Sequence, residues 1–268
     1  MVVISSAWKS PRIASGGRGP RVESCDIGIV FALAIEAGGL VDLLKDVTVI
    51  RGHGLSVRQG RLHARQIALV ESGPGRQRAA RATHALLDAH RPPRIISAGF
   101  AGGLDPALRR GELVLAEGIV DCHGRVEPMP IATTAPVAPP ALPYHVGRLL
   151  AVDRVIRLPA EKQELGVKHQ ALACDMESLA VAEVCRERGV PCTAVRVISD
   201  AADEELPADI EKLLAQATTA ARWGAAFASI FRRPSVVLDL LRLQRRAVEA
   251  SDRLAKFLAA LPSQPGHS

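Results

Sequence analysis

Aromatic residues are scarce in this sequence, and long apolar runs are missing. Phe, Trp and Tyr together make up 3% of the 268 residues, so an aromatic side chain near a candidate site is informative. No run approaches the roughly 18 uninterrupted apolar residues that a membrane-spanning helix needs. The histidines do not show a metal-ligand spacing such as HExxH. The sequence therefore predicts a chain that does not span a membrane and uses neither a metal ion nor a cofactor.

Cysteine usage indicates a reducing compartment. The five cysteines are odd in number, widely scattered and without a CxxC pair, which argues against a disulfide framework and against a zinc site. We therefore expect a cytoplasmic protein. The first 24 residues carry basic side chains but no apolar stretch after them, so they predict a disordered tail rather than a secretion signal.

The formal net charge of +6 does not predict a nucleic-acid partner, because the basic residues concentrate at the two ends of the chain. The basic helical segments near the C terminus leave a peripheral membrane contact open as a weaker alternative. Apolar stripes on such helices more commonly face a core. We expect them to pack on their own domain or on a partner subunit.

Short apolar runs alternate with helical patterns along most of the chain, which is typical of strands and helices that share one core. The pattern predicts a three-layer α/β/α sandwich with a mixed central sheet, plus a C-terminal helical extension. The predicted strands cover 27–33, 63–70, 94–99, 111–120, 148–153, 171–175 and 192–199, and the clearest helices cover 77–90 and 177–187.

Three segments follow from this pattern. Residues 1–24 form the tail, 25–231 the main domain and 232–268 the helical extension. Six prolines in 124–146 predict a long loop inside the main domain. From 206 to 260 the pattern is helical with a break at Pro234, and its predicted apolar stripe consists of Val237, Leu240, Leu241, Val248, Leu254, Phe257 and Leu258.

Three acidic residues each follow a predicted strand: Glu36, Glu177 and Asp200. Ligands of open α/β sheets bind beyond the carboxyl ends of the strands, so these side chains could meet in one cleft. Each carboxylate alone is more commonly a helix cap or a first-turn acid. Together with the glycine-rich run 99–103, which lets a ligand approach the backbone, they predict a binding site.

These residues lie within motifs that resemble the nucleoside phosphorylase superfamily, and within it the methylthioadenosine/S-adenosylhomocysteine nucleosidase branch. The motifs are 27–36, Ser72-Gly73-Pro74-Gly75, 97–106, and Asp175-Met176-Glu177 followed 23 residues later by Asp200. The resemblance implies hydrolysis of the bond between ribose and a purine, with release of adenine. It also implies a small nucleoside substrate, no cofactor, a homodimer and a place in methionine salvage.

The resemblance assigns a role to each polar residue of the cleft. Asp200 would protonate the purine at N7, with Ser199 orienting it and Ala201 and Ala202 giving it an apolar setting. Glu36 would be the general base for water, with Arg196 nearby, as in inverting glycoside hydrolysis. Substrate contacts would come from Glu177 at the ribose hydroxyls, from Met176 at the sugar, and from Val155 and Ile156 at the base-stacking position.

Two departures from the family pattern bear on the nucleophile and on the substrate. Phosphorolytic relatives carry an arginine where this chain has Ser97-Ala98-Gly99-Phe100, which favours water, although Arg76 keeps phosphorolysis by a purine nucleoside phosphorylase open. Phe100 replaces a small hydroxyl residue, and its ring could stack on the base, line a pocket for a large 5′ substituent, or block it. The run 99–106 also resembles adenosylhopane-cleaving relatives of hopanoid synthesis, the leading alternative on substrate.

Two other functions are less well supported. A dinucleotide-binding domain would need a GxGxxG motif between the first strand and its helix, and Gly28 stands alone there. A structural or regulatory module with an inactive site would be free to lose Glu36 or Asp200, and both are present.

Overall fold

The computed structural model describes residues 2–5, 24–52, 54–121, 129–130, 142–207 and 234–261. Five helices are defined in these ranges: α1 (Ala34–Leu43), α2 (Arg76–His90), α3 (Pro159–His169), α4 (Ser178–Glu187) and α5 (Pro234–Ala260). The same ranges contain the strands β1 (Val2–Ser5), β2 (Ile27–Phe31), β3 (Lys45–Gly52), β4 (Leu55–Leu62), β5 (Arg65–Glu71), β6 (Ile95–Gly103), β7 (Leu113–Asp121), β8 (Met129–Pro130), β9 (Tyr144–Ala151), β10 (Ala171–Asp175) and β11 (Cys192–Asp200).

The strands form one mixed sheet with β6 at its centre. Strand β6 pairs in parallel with β2 and β11, and antiparallel with β10. Because β11 also pairs with β7, the strands β6, β10, β9, β7 and β11 close into a ring, whereas β2, β5, β4, β3 and β1 continue outward as an open sheet. The predicted mixed central sheet is confirmed, and its partial closure brings the ends of β6, β10 and β11 together.

Helices cover both faces of this sheet, which confirms the predicted α/β/α layering. Helices α1 and α5 bury one core cluster against the sheet, and α2 and α4 bury a second cluster on the opposite face. A third, smaller cluster, around Leu104, Leu150 and Ile156, packs against Leu165 of α3.

The sequence did not predict the hairpin formed by β3 and β4, nor helix α3. The two hairpin strands carry several arginines and are only partly buried, so they lack the apolar run of a central strand. Helix α3 begins with a proline at its first turn, a favourable position, but most of its surface is polar and exposed. Neither element has the hydrophobic period that marks the rest of the fold.

The N-terminal segment and the proline-rich loop are described only in part. Val2–Ser5 pair in parallel with β3, so a strand replaces the predicted disorder for these four residues, while 6–23 lie outside the described residues. Of the predicted loop 124–146, only 129–130 and 142–146 are described, and Tyr144 already begins β9. Among the described residues, no helix combines the length and the apolar composition needed to cross a bilayer.

Helix α5 confirms the predicted C-terminal helix over Pro234–Ala260. Its residues Leu254, Phe257 and Leu258 are at most 3% exposed in the cluster shared with α1. Val248 was placed in the same apolar stripe, but it is 47% exposed because it lies on the solvent side of the helix. The side chains of Val237, Leu240 and Leu241 lie outside the described residues.

Helices α1 and α5 meet through a glycine and a serine. The backbone N–H of Gly39 donates to Ser251 Oγ at 2.9 Å, and Ser251 Oγ lies 3.1 Å from the backbone oxygen of Glu36. A Cβ atom on Gly39 would lie 2.9 Å from the backbone oxygen of Ser251 and 3.0 Å from Cα of Asp252. The two helices are therefore closer here than any side chain at position 39 allows.

This contact predicts different outcomes for two neighbouring glycines. Gly39→Ala should lower the free energy of unfolding by about 1–3 kcal/mol, because the backbone of α5 must move. Gly38→Ala is the matched control, since its Cβ would come no closer than 3.9 Å to Ser251 Oγ, and alanine at a helical position should stabilise by up to about 1 kcal/mol. Urea unfolding of both variants measures the difference, and equal stabilities would contradict the close packing.

Candidate active site

A pocket opens where the carboxyl ends of the parallel strands β2, β6 and β11 meet. Two groups of residues line it. Val30 and Phe31 end β2, Ala32 follows them and Glu36 lies in α1, while Ala98, Gly99 and Phe100 belong to β6. Glu177 and Arg196 complete the wall. The structure thus brings together four of the residues that the sequence analysis named: Glu36, Phe100, Glu177 and Arg196.

Glu36 is held by three backbone N–H groups and is 4% exposed. Its Oε2 accepts hydrogen bonds from Ala32 at 3.0 Å and Leu33 at 2.8 Å, and its Oε1 accepts one from Phe100 at 2.9 Å. Burial raises the pKa of this carboxyl above its ordinary value, against the lowering effect of the hydrogen bonds and of Arg196. Glu36 is therefore a fixed carboxyl group with an increased affinity for a proton.

Gly99 makes this position of Glu36 possible. A Cβ atom at Gly99 would lie 2.9–3.0 Å from the three carboxyl atoms of Glu36, closer than nonbonded carbon atoms approach. The next residue, Phe100, donates its N–H to the same carboxyl, and its half-buried ring packs against the cluster under α1 and α5 while it lines the pocket. Phe100 is thus a wall of the pocket that is continuous with the core.

Arg196 carries a positive charge into the pocket wall with nearly every donor occupied. Its guanidinium, 2% exposed, donates to Asp175 Oδ2 from Nε at 2.8 Å and from Nη2 at 2.5 Å. Ser97 and Ser178 accept further hydrogen bonds at 2.7–2.8 Å. Burial alone would lower the pKa of Arg196, but the carboxyl groups of Asp175, Glu177 and Glu36 together outweigh this effect and raise it. Arg196 is a permanent cation.

Glu177 directly precedes α4 and lines the same pocket as Glu36. Its Oε1 accepts the backbone N–H of Gly75 at 2.6 Å, which joins the turn 72–75 to the end of β10. Burial, with the negative charge of Asp175 as a second cause, raises the pKa of Glu177 to about 7. At neutral pH this carboxyl can therefore both accept and donate a hydrogen bond.

Asp200 ends β11 and lies farther along β6 than Glu36, outside the wall of this pocket. Its Oδ1 is 2.6 Å from Ser199 Oγ, and its Oδ2 accepts a hydrogen bond from Lys162 Nζ at 2.6 Å. The apolar setting expected from Ala201 and Ala202 is incomplete. Both alanines are buried, but α3 also brings a buried ammonium group to the carboxyl, which the sequence analysis did not anticipate.

The two carboxylates lie against glycines of the same strand. Glu36 lies over Gly99, and Asp200 Oδ2 would be 3.3 Å from a Cβ atom at Gly102. Three residues of extended strand span about 10 Å. The two carboxyl groups therefore lie at different positions along β6.

The other predicted substrate contacts lie deeper. Ile156 is 6% exposed in the small core cluster under α3, and half-buried Met176 packs against the same cluster. Val155 is half-buried. Among the described residues, these three do not line the pocket around Glu36, and their predicted contacts with sugar and base stay predictions.

Arg76, the residue that kept phosphorolysis open, is occupied by carboxylates. Its Nη2 donates to both oxygens of Glu183 at 2.9 and 3.1 Å, and its Nη1 lies 3.8 Å from Asp121 Oδ2. A phosphate bound by this guanidinium would have to displace them. Within the described ranges, no group of three His, Cys, Asp or Glu side chains is arranged to hold a metal ion.

Sequence reasoning missed the partners that hold the named residues in place. Asp175 and Ser178 flank the Met176-Glu177 pair, so their proximity was visible, but their pairing with Arg196 was not. Lys162 gave no signal, because a lysine in a polar helical segment normally faces solvent.

A family model and several known proteins match this chain. A model of the phosphorylase superfamily matches residues 26–231. The chain belongs to the phosphorylase superfamily. A 5′-methylthioadenosine/S-adenosylhomocysteine nucleosidase of Tolumonas auensis is 28% identical over 211 residues, covering 70% of this chain and 91% of the relative.

Solved structures of nucleosidases share the fold. The Streptococcus pneumoniae nucleosidase in complex with 8-aminoadenine is 20% identical with a TM-score of 0.68, covering 88% of this chain and 97% of that one. The Helicobacter pylori nucleosidase with butyl-thio-DADMe-Immucillin-A is 22% identical with a TM-score of 0.63, covering 87% and 97%.

The raised pKa of Glu177 predicts a pH-dependent stability. A carboxyl group whose folded pKa lies above the unfolded value stabilises the fold below that unfolded value, and this contribution is lost as the pH rises through about 7. Glu177→Gln removes the titrating group and with it this loss of stability. The free energy of unfolding of the variant relative to the wild type should therefore be higher at pH 8 than at pH 5. Urea unfolding at the two pH values measures this difference. The exposed Glu187 of the same helix provides the control, Glu187→Gln, and a Glu177→Gln difference that is the same at both pH values would refute the prediction.

Proposed function

We propose that this protein is a purine nucleoside N-ribosyl hydrolase of the methylthioadenosine/S-adenosylhomocysteine nucleosidase type, which releases adenine. The observation that carries the proposal is Glu36, a buried carboxyl of raised pKa that faces the pocket and is fixed by three N–H groups. The relatives named above are nucleosidases, which supports the same assignment. The activity is consistent with a role in methionine salvage.

Glu36 is the proposed general base. A carboxyl group with a raised pKa is a better proton acceptor than an ordinary carboxylate, and Glu36 cannot turn away because both its oxygens are bonded to the backbone. Water bound beside it gives its proton to Glu36 as the oxygen adds to C1′ of the ribose. The charge of Arg196 lies in the same wall and favours the developing hydroxide.

Asp200 is the proposed general acid at the other end of the site. As the bond from C1′ breaks, its electron pair passes into the purine, and N7 takes a proton from Asp200. The hydroxyl of Ser199, 2.6 Å from Oδ1, orients the carboxyl. An acid and a base on different elements suit this division, because N7 and the face of C1′ that water attacks lie on opposite sides of the bond that breaks.

Glu177 is the proposed acceptor for the ribose hydroxyls. Gly75 holds its Oε1, so Oε2 is the oxygen assigned to the sugar. The ring of Phe100 forms the apolar wall nearby, and we assign it to the 5′ substituent, for which a methylthio group has the matching polarity. Water rather than phosphate is the nucleophile, because Arg76 and Arg196 are both committed to carboxylates.

The proposed assembly is a cytoplasmic homodimer. Its support is the family resemblance for the dimer and the scattered, unpaired cysteines for the reducing compartment.

The first test of this function is the product formed without phosphate. Purified protein incubated with methylthioadenosine should release adenine and free methylthioribose, and added phosphate should not change the rate. Chromatography of the sugar product measures this, with S-adenosylhomocysteine, adenosine and inosine as comparison substrates. Strict phosphate dependence with a sugar 1-phosphate as product would overturn the assignment of water as nucleophile.

The second test removes the proposed acid. Asp200→Asn should lower kcat by roughly 10²–10⁴-fold, the usual loss when general acid catalysis is removed, while the fold persists because the side chains are nearly isosteric. The matched control is Asp203→Asn, which changes an exposed aspartate three residues away and should leave kcat unchanged. Retention of more than about a tenth of the activity, far above that range, would show that Asp200 is not the acid.

A further inference from the structure

Lys162 is a buried lysine whose charge is directed at the proposed acid. Its side chain is 0% exposed, and lysines are almost never fully buried unless they are paired. Its Nζ donates to Asp200 Oδ2 at 2.6 Å, to the backbone oxygen of Ala201 at 2.9 Å and to that of Glu204 at 2.8 Å. Three acceptors match the three N–H bonds of the ammonium form. The site is built for a cation, with nothing left unbonded on the nitrogen.

This contact determines which oxygen of Asp200 can carry a proton. An ammonium group has donors and no lone pair, so Oδ2 facing it can only accept. A proton on the Asp200 carboxyl must therefore be on Oδ1, the oxygen next to Ser199 Oγ. A serine hydroxyl can accept as well as donate, so it tolerates the proton there.

We propose that Lys162 is the positioning residue for the acid Asp200: it confines the transferable proton to Oδ1 and stabilises the carboxylate that remains when the base departs. This inference rests on the proposed function. Helix α3 supplies the lysine from outside the motifs that carry the other site residues.

The proton balance of the step leaves Lys162 unchanged. Asp200 Oδ1 gives its proton to N7 while the electron pair of the C1′–N9 bond passes into the purine. The resulting carboxylate lies opposite the ammonium of Lys162, and in a buried setting this attraction is stronger than in water. The attacking water gives a proton to Glu36. Exchange with solvent then removes the proton from Glu36 and restores one to Asp200.

A purely structural role for Lys162 makes a different prediction. The two backbone contacts tie α3 to the turn after β11, so Lys162→Met leaves three oxygens without their donor and should lower the melting temperature. If Lys162 only holds α3 to this turn, its loss should lower the cleavage rate equally for every substrate. If Lys162 positions the acid, its loss should lower the rate only where Asp200 protonates the leaving group.

A double-mutant cycle with methylthioadenosine separates the two roles. Lys162→Met should lower kcat by about 10²-fold, the lower end of the loss expected for acid catalysis, with KM within about threefold. In the Asp200→Asn background the same change should cost less than about threefold, because residues that act through one another are not additive. The control is Lys168→Met, an exposed lysine of the same helix, which should change nothing.

A leaving group that needs no proton gives an independent readout. Lys162→Met should spare the cleavage of 4-nitrophenyl 5-methylthioriboside, since 4-nitrophenolate departs without protonation. If melting curves show that Lys162→Met does not fold, Lys162→Gln replaces it, because it keeps an N–H donor and lacks the charge. Additive losses in the cycle, or equal losses for both leaving groups, would overturn this proposal alone. A wild type that releases no adenine would overturn the proposed function and this inference with it.

Discussion

The site depends on two glycines of β6, Gly99 and Gly102, because neither carries a Cβ atom. They let two carboxyl groups lie directly against the backbone of β6, with Glu36 over the first glycine and Asp200 beside the second. Because both glycines belong to one strand inside a closed part of the sheet, the separation of the two carboxyl groups is fixed by backbone geometry. A Cβ atom at Gly99 would collide with the Glu36 carboxyl, and one at Gly102 would press on that of Asp200.

Charge is arranged around these carboxyl groups by buried ion pairs that are poor stabilisers of a fold. Arg196 with Asp175, and Lys162 with Asp200, are each at most 8% exposed, and desolvation offsets most of the attraction in such pairs. Apolar residues of similar volume would give comparable stability. The pairs are therefore better explained by where they bring charge, since Arg196 lies in the pocket wall with Glu36 and Lys162 donates to the proposed acid Asp200.

The sequence predicted the parts of the site that a short motif contains. Glu36, Glu177 and Asp200 each follow a strand with a clear apolar run. This pattern predicted both the fold class and the proximity of Glu36 and Glu177 in one pocket. Lys162 could not, because its importance comes from the packing of α3 against the turn after β11, and no local pattern encodes that contact. The same reason hid the β3–β4 hairpin, whose strands are stabilised by pairing with neighbours rather than by an apolar run.

The match to the superfamily ends at residue 231, but the packing of the site does not. Leu254 and Phe257 of α5 share a core cluster with Phe31 and Val197, and Phe31 lines the pocket. Ser251 contacts the backbone of both Glu36 and Gly39, so α5 supports the helix that carries the proposed base. A domain boundary placed at residue 231 would separate Glu36 from the α5 residues that pack against its helix. The C-terminal helix is thus part of the same packed unit as the site, and the position of Glu36 depends on residues more than 200 positions away in the chain.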